Sequence, residues 1–235
     1  MKTTGTDPDL EILYEDNHLL AVCKPAGLLA QEDYSSGPDV LTLCKEYLKR
    51  EYHKPGNVFL GLLHRLDKPV SGVMLLAKTS KAASRISDQI RRRTVEKSYL
   101  AVVNGSLPPA GKLIHYLLKQ EKANISHVVS SKAAGAKRAE LTYRTLMRKE
   151  GVSLVEIDLI TGRSHQIRVQ FAEEGFPLWG DHKYGKGEGK EPALFAYCFK
   201  AEHPTQKNRL EIAANIPDHY PWNLFSLPKS SLKPT

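Results

Sequence analysis

Asp67 follows Arg65 by two residues in the segment His64-Arg65-Leu66-Asp67, and an apolar run occupies residues 73–77 soon afterwards. Side chains of an extended segment alternate, so Arg65 and Asp67 point to the same side. A nearby cation favours the ionised form of a carboxylate, which can then act as a nucleophile or a base. Taken alone, the pair is more typical of a surface ion pair. The rest of the chain therefore has to decide between the two interpretations.

Four more segments combine glycine, charged and aromatic residues at short spacings. They are Lys24-Pro25-Ala26-Gly27, Lys97-Ser98-Tyr99, Thr161-Gly162-Arg163-Ser164-His165-Gln166-Ile167-Arg168 and Gly180-Asp181-His182-Lys183-Tyr184-Gly185. Together with the Asp67 segment, which continues to Ser71-Gly72, they resemble the motifs of the RluA-type RNA pseudouridine synthases. The resemblance extends from about residue 10 to about residue 225, in the family's order, and is far more specific than one short pattern. Val70 and Gln170 depart from it, where threonine and histidine are more common.

The resemblance implies that the chain isomerises uridine to pseudouridine within structured RNA, either ribosomal or transfer RNA, without a metal or an organic cofactor. Asp67 would attack the sugar, add to the base or remove a sugar proton, and these three courses remain open. Arg163 would pair with Asp67, because a guanidinium stays protonated and offers a planar fork to a carboxylate. Tyr99 would lie against the uracil and accept its C5 proton. We therefore expect Asp67, Tyr99 and Arg163 to be the catalytic residues.

RNA contacts are expected from a second set of residues. A uridine stacked in a helix is out of reach, so the target nucleotide must be flipped out of the stack. The resemblance implies that Arg65 fills the vacated space and stacks on neighbouring bases, and that Ile167 supplies an apolar wall. Further RNA contacts are expected from His64, Arg168, Arg91, Arg92 and Arg93.

Several of these residues also fit structural roles. Tyr99 alternates with apolar residues, as a core tyrosine does. His64 and His165 are more typical of structural hydrogen-bonding groups, since the expected chemistry needs no imidazole. Arg91-Arg92-Arg93 ends a predicted helix and suits its macrodipole as well as it suits phosphates. Lys24 is expected to position the turn that follows it rather than to touch RNA.

The sequence favours an isomerase over two other classes of protein, a hydrolase and an inactive RNA-binding module. A hydrolase would need a nucleophile such as the serine of a Gly-x-Ser-x-Gly elbow, and the chain has no such segment. A catalytically inactive RNA-binding module could keep the same scaffold. The joint presence of Asp67, Tyr99 and Arg163 argues against it, because a module that only binds needs none of the three.

Composition agrees with an RNA-binding protein. The chain has 235 residues, with 34 Lys and Arg against 26 Asp and Glu, which gives a formal charge of +8. Such a balance favours a polyanionic partner. The three scattered cysteines predict reduced packing residues in a cytoplasmic protein, and no apolar run approaches the roughly 20 residues that span a bilayer. We expect a monomer with one catalytic domain over residues 10–225, between tails at residues 1–9 and 226–235.

Periodicity places the motifs on secondary structure. It predicts a hairpin over residues 12–22, a helix that begins after Asp39, a second helix from Thr79 to Arg93 and a strand over residues 152–160. Ser164 is expected to cap a third helix that ends near Gly175. Surface excursions are predicted at residues 119–137 and 186–190. The resemblance implies an α+β fold, with a mixed, largely antiparallel curved sheet, helices on its outer faces and a central RNA-binding cleft.

Overall fold

In the computed structural model, which describes residues 10–32, 37–185, 187 and 191–226, one sheet contains all eleven strands of the described residues. The strands are β1 (Glu11–Glu15), β2 (Leu19–Lys24), β3 (Gly61–Leu62), β4 (Ser71–Ala77), β5 (Glu96–Asn104), β6 (Ala110–Gln120), β7 (Ile125–Val128), β8 (Lys137–Lys149), β9 (Val152–Leu159), β10 (Leu194–Glu202) and β11 (Arg209–Ala213). The two predicted tails, apart from Ser226, and the loop at 186–190, apart from Gly187, lie outside the described residues.

The sheet is mixed but mostly antiparallel, as expected. Its order is β1-β2-β4-β10-β5-β9-β8-β6-β7, with β3 beside β4 and β11 beside β10. Among the paired strands of the described residues, only β4 and β10 run parallel. The predicted hairpin is confirmed as β1 and β2, and the predicted strand at residues 152–160 is confirmed as β9.

Three α-helices are found in the described part of the chain, namely α1 (Val40–Glu51), α2 (Ser80–Arg92) and α3 (Gln166–Glu173). The Asp39 side chain accepts a hydrogen bond from the Thr42 amide, and the Thr79 side chain does the same for Ala82. Each bond satisfies an amide that the first helical turn leaves without a partner. The predicted starts of the first two helices are therefore confirmed.

The helices cover both faces of the sheet. Leu19 and Ala21 of β2 pack in one buried cluster with α2, whereas Leu20 and Val22 pack in another with α1. This division follows from the alternation of side chains along a strand. A third cluster joins α3 to alternate residues of β5, including Tyr99. No helix of the described residues is long and apolar enough to cross a membrane, and the three cysteines are free, two of them buried.

The structure corrects two predictions about local elements. The third helix begins at Gln166 after His165, which has a left-handed φ of 53° and makes no side-chain cap, so Ser164 does not cap it. Instead the Gln166 side chain accepts a hydrogen bond from the Arg163 amide at 3.0 Å. Residues 119–137 are not simply a surface excursion, because they include β7, which pairs with β6 and buries Ser126.

Candidate active site

An open cleft of about 930 Å³ lies where the loop before β4 meets the segment before α3. Its walls come from segments that are distant in sequence, which include residues 63–70, the end of α2, two residues of β5 and residues 159–168. Asp67 lies in this cleft with 27% of its side chain exposed. The fold thus brings the sequence motifs together around one carboxylate.

The Asp67 loop is held by backbone contacts on both sides. The Val70 amide donates to the Asp67 carbonyl at 3.0 Å, and the Gly27 amide donates to the Lys68 carbonyl at 2.9 Å. Gly72, where β4 begins to pair with β10, has a φ of +119°, and a Cβ there would lie 2.3 Å from the Ala196 carbonyl oxygen. Only glycine fits so close to a neighbouring backbone. The loop is therefore fixed to the central strands of the sheet.

Lys24 also holds this loop, through hydrogen bonds from its side chain. Its buried Nζ donates to the carbonyls of Pro25, Leu28 and Lys68 at 2.9, 2.6 and 3.0 Å. Burial lowers the pKa of Lys24 to about 8, although the negative charges of Glu191 and Asp67 favour its protonated form. The expected role of Lys24 in positioning its turn is confirmed, and the same ammonium also ties that turn to the Asp67 loop.

The cation that contacts Asp67 is Arg168, with Nη1 at 3.4 Å from Asp67 Oδ2. The expectation that Arg163 forms this pair is wrong, since the Arg163 Nε donates to the Arg138 carbonyl in an exposed position at the edge of the cleft. The Arg168 side chain is only 5% exposed. It is therefore an internal partner of Asp67, and because it also lines the cleft its expected RNA contact stays a prediction.

Asp181 fixes the orientation of Arg168. Its two oxygens accept hydrogen bonds from Nε and Nη2 of Arg168 at 2.7 and 2.8 Å, a bidentate arrangement that sets the guanidinium plane. Asp181 is fully buried. Burial by itself raises the pKa of its carboxyl, but Arg168 and the amides of Lys183 and Tyr184 outweigh that effect and lower the pKa below its usual value. An ionised Asp181 thus holds Arg168 towards Asp67.

Tyr99 is both a core residue and a wall of the cleft. It is 7% exposed and packs with Ile167, Leu66 and Leu194, all of which line the same space. Burial, and then the negative charge of Asp67, raise the pKa of the Tyr99 phenol. The hydroxyl is therefore neutral at physiological pH. The expected apolar wall at Ile167 is confirmed as part of the cleft.

The two histidines differ in their distance from Asp67. The Nε2 of His64 accepts a hydrogen bond from the Leu75 amide at 3.0 Å, and its ring stacks on Phe199. Burial, together with the charge of Lys97, lowers the pKa of His64 to about 3, so the ring is neutral. The structural role favoured by the sequence is thus confirmed for His64. His165 lies closer to the chemistry, with Nε2 at 3.9 Å from Asp67 Oδ2.

Exposed cations surround the opening of the cleft. Arg65 is exposed and lines the cleft, as do Arg91 and Arg93 at the end of α2. Arg91 and Arg92 form ion pairs with Asp88 one helical turn earlier, so these two arginines also have a local structural partner. The cleft entrance can therefore contact a polyanion, while RNA contacts of His64 and of the individual arginines stay predictions.

Asp181 and Tyr184 were missed as site residues at the sequence level. Both belong to the segment Gly180-Asp181-His182-Lys183-Tyr184-Gly185, which was noticed only as a motif. The sequence did contain a signal, because Asp181 belongs to a motif and residues 161–168 of the preceding motif include two arginines. One of these arginines could have been predicted as the partner of Asp181.

Comparisons with known proteins agree with this geometry. The family model described as RNA pseudouridylate synthase matches residues 18–173. The chain belongs to this family. The resemblance found in the sequence is thereby confirmed, and the chain is classed with isomerases that modify RNA.

Relatives of this family member come from several bacteria. The chain is 32% identical over 246 residues to ribosomal large subunit pseudouridine synthase D of Pseudomonas aeruginosa, which covers 94% of this chain and 72% of that protein. It is 34% identical to the protein of the same name from Neisseria meningitidis, over 89% of this chain and 59% of that one. It is 33% identical to the uncharacterised RNA pseudouridine synthase YhcT of Bacillus subtilis, over 89% and 69% of the two chains.

Solved structures confirm the fold. Human RNA pseudouridylate synthase domain containing 4 superposes with a TM-score of 0.73 at 24% identity and covers 88% of each chain. Human RNA pseudouridylate synthase domain containing 1 superposes with a TM-score of 0.72 at 24% identity, over 91% of this chain and 86% of that one. The α+β fold predicted from the sequence is therefore the pseudouridine synthase fold.

Proposed function

We propose that this chain isomerises uridines of ribosomal RNA to pseudouridine, with Asp67 as the reacting carboxylate. The observation that carries the proposal is the position of Asp67 in the cleft, 3.4 Å from an arginine whose plane is set by a buried aspartate. A fixed guanidinium favours the ionised form of a carboxylate that must work where RNA displaces water. Because the chain belongs to the RNA pseudouridylate synthase family, we assign this arrangement to the isomerisation of uridine.

The two oxygens of Asp67 have different surroundings. Two neighbours of the carboxylate, the Arg168 guanidinium at 3.4 Å and the His165 imidazole at 3.9 Å, are nearest to Oδ2. Oδ1 is thus the oxygen that we assign to the substrate, whether it attacks the sugar, adds to the base or removes a sugar proton. In each of these courses Oδ2 keeps its cation while Oδ1 changes its bonding.

Base flipping is proposed because Asp67 is mostly buried, with 27% of its side chain exposed, and lines the cleft together with Tyr99. A nucleotide that stays stacked in a duplex is out of reach of such a group. Arg65 is exposed at the opening and has a planar end that can stack where the base was. Tyr99 is neutral and lies at the wall, where it can support the uracil ring.

Charge and relatives together suggest the substrate. Lys97 of β5 lines the cleft, burial lowers the pKa of its ammonium, and it forms no ion pair with another described residue. A phosphate of the bound RNA would supply the missing charge. We propose ribosomal RNA because relatives carry that substrate in their names. The neighbours of Asp67, namely Arg168, His165 and Tyr99, come from the same chain, so we propose that a monomer acts. We propose the cytoplasm as its location, because unpaired cysteines stay reduced there.

An activity assay tests this function. Wild-type protein and the Asp67→Asn variant would be incubated with large-subunit ribosomal RNA and with transfer RNA, and pseudouridine would be mapped at single-nucleotide resolution. We expect product in ribosomal RNA from the wild type and none from Asp67→Asn, which keeps the shape but lacks the charge. Asp218→Asn is the matched control, because Asp218 is exposed and does not line the cleft.

Each other outcome has a definite meaning. Product in transfer RNA alone would correct the substrate but leave the chemistry intact. Tight RNA binding by the wild type without product on either RNA would favour the inactive RNA-binding module. Turnover by Asp67→Asn near the wild-type rate would show that Asp67 is not the reacting group.

A further inference from the structure

The hydroxyl of Tyr184 connects three segments beside Asp67. It accepts a hydrogen bond from the Ser126 amide of β7 at 2.8 Å, and it lies 2.6 Å from Nδ1 of His165. The Ser126 hydroxyl in turn donates to the Ser164 carbonyl at 2.8 Å, next to His165. Tyr184 itself does not line the cleft. The reaction outlined above uses none of these groups except Asp67.

The protonation of His165 follows from this arrangement. Burial is the largest influence on its pKa, and the positive charges of Arg168 and Lys183 act in the same direction; Asp67 and Asp181 oppose them, but the net effect lowers the pKa. The ring is therefore neutral at physiological pH and carries one N–H, at either Nδ1 or Nε2.

Two arguments select the tautomer with the proton on Nε2. In that tautomer Nδ1 accepts the Tyr184 hydroxyl proton, while the tyrosine oxygen accepts from the Ser126 amide. In the other tautomer the Tyr184 proton has no acceptor among the hydrogen-bonding groups of the described residues. A bare Nε2 lone pair would also face the Asp67 carboxylate at 3.9 Å, which is repulsive.

We propose that Tyr184 sets the tautomer of His165, so that His165 presents its Nε2–H to Oδ2 of Asp67 and helps to position that carboxylate. This inference rests on the proposed function, because Asp67 must be the reacting group for the positioning to matter. Arg168 and His165 are then both nearest to the same oxygen, Oδ2, and Oδ1 remains for the substrate. Tyr184 and His165 are positioning residues, since each acts through Asp67.

The first test reads the tautomer directly, without any turnover. Long-range ¹H–¹⁵N spectra distinguish protonated from bare imidazole nitrogens in the RNA-free protein. We expect His165 to carry its proton on Nε2 in the wild type and to show a mixture of tautomers in Tyr184→Phe. Tyr197→Phe is the control, because Tyr197 is a half-buried tyrosine outside the cleft. A proton on Nδ1 in the wild type, or an unchanged tautomer in Tyr184→Phe, would overturn the proposal.

The second test asks whether the tautomer matters for catalysis. Tyr184→Phe should lower kcat by roughly 3- to 10-fold, which is the range of one neutral hydrogen bond, and leave KM for RNA nearly unchanged. His165→Gln and His165→Leu form a matched pair, since both side chains bear the same strain at a φ of 53° but only glutamine keeps a donor. Glutamine should therefore retain more activity than leucine.

Combining the variants separates positioning from simple support of the fold. Glutamine has no tautomers, so Tyr184→Phe should cost little when it is added to His165→Gln. An equal loss in both backgrounds, or an effect on KM alone, would mean that Tyr184 only supports the structure and would refute the proposal. If the wild type forms no pseudouridine, the proposed function fails, and the imidazole spectra still decide whether Tyr184 sets the tautomer.

Discussion

Removing Arg168 should have two separable consequences, one for stability and one for turnover. Among the described residues, Arg168→Met leaves the fully buried Asp181 carboxylate with two hydrogen-bond donors, the amides of Lys183 and Tyr184 at 2.9 and 3.3 Å. Breaking a buried ion pair from one side typically costs about 3–5 kcal/mol, because the remaining charge is desolvated without a partner. Since the free energy of unfolding of a domain is about 5–15 kcal/mol in total, the variant should be folded but much less stable than the wild type.

The double variant Arg168→Met with Asp181→Asn identifies the source of that loss. Asparagine can still accept from the two amides but carries no charge, so we expect it to restore roughly 2 kcal/mol of unfolding free energy. It should not restore turnover, because Asp67 lacks its cation in both variants. Urea unfolding would give the free energy of unfolding of each variant, provided that the dependence on urea concentration has the same slope in all of them. Single-turnover rates on RNA would give the activity.

Acid should narrow the stability gap between Arg168→Met and the wild type. In the wild type the Asp181 pKa lies below its unfolded value, so its contribution is present at neutral pH and is lost on acidification through the folded pKa. Without Arg168, burial raises the Asp181 pKa above the unfolded value, so the native variant binds a proton first and gains stability as pH falls from the folded pKa to the unfolded pKa. A double variant no more stable than Arg168→Met, or a gap that is constant with pH, would refute this reasoning. Recovered turnover in the double variant would show that Arg168 is not needed by Asp67 directly.

Three further perturbations follow from the site. As pH rises through about 8, Lys24 loses a proton and keeps two N–H groups for three carbonyls. The ratio of wild-type to Lys24→Met turnover should therefore fall between pH 7 and pH 9, and a constant ratio would exclude this role for the Lys24 charge. RNA affinity should fall with salt at a slope of log K against log salt of roughly −3.5 to −4.5 for about five phosphate contacts, measured by titration at several salt concentrations, whereas a flat response would give the basic cleft another purpose. Arg65→Ala should slow turnover more on a stem-loop than on a loosened version of it, since less unstacking is then required, and equal losses on both RNAs would argue against a role in base flipping.

Local patterns in the sequence were sufficient for several elements. Asp39 and Thr79 start α1 and α2 as predicted, because a cap depends only on residues within one helical turn. The family was predicted from five short motifs, one of which contains Asp67. Each motif is a run of contiguous residues and can be identified without the fold. The role expected for Lys24 was also local, since two of its three carbonyl partners lie within four residues of it.

Only the tertiary structure decided which arginine serves Asp67. Arg163 and Arg168 are five residues apart in one motif, and both have the chemistry to pair with a carboxylate. Because α3 begins at Gln166, Arg168 lies on the helix and turns inward to Asp181, while Arg163 stays in the exposed turn. Arg168 and Asp67 are separated by 101 positions in the sequence. The distance between two such side chains depends on the order of the strands and on which face of the helix each residue occupies.

The same limit explains β7 and the environment of His165. Residues 125–128 lie within the largely polar segment 119–137, yet they form a strand that pairs with the edge of β6, and Ser126 is then buried against Tyr184. The contacts of the His165 ring come from two separate segments, which carry Asp67 and Tyr184. Ser126 of a third segment bonds to Tyr184 and to the carbonyl of neighbouring Ser164. The residue types that do the chemistry are written in short motifs, because chemistry depends on side-chain identity. Their ionisation and orientation are set by neighbours that only the folded chain brings within a few ångströms, because burial and hydrogen bonding act over that range.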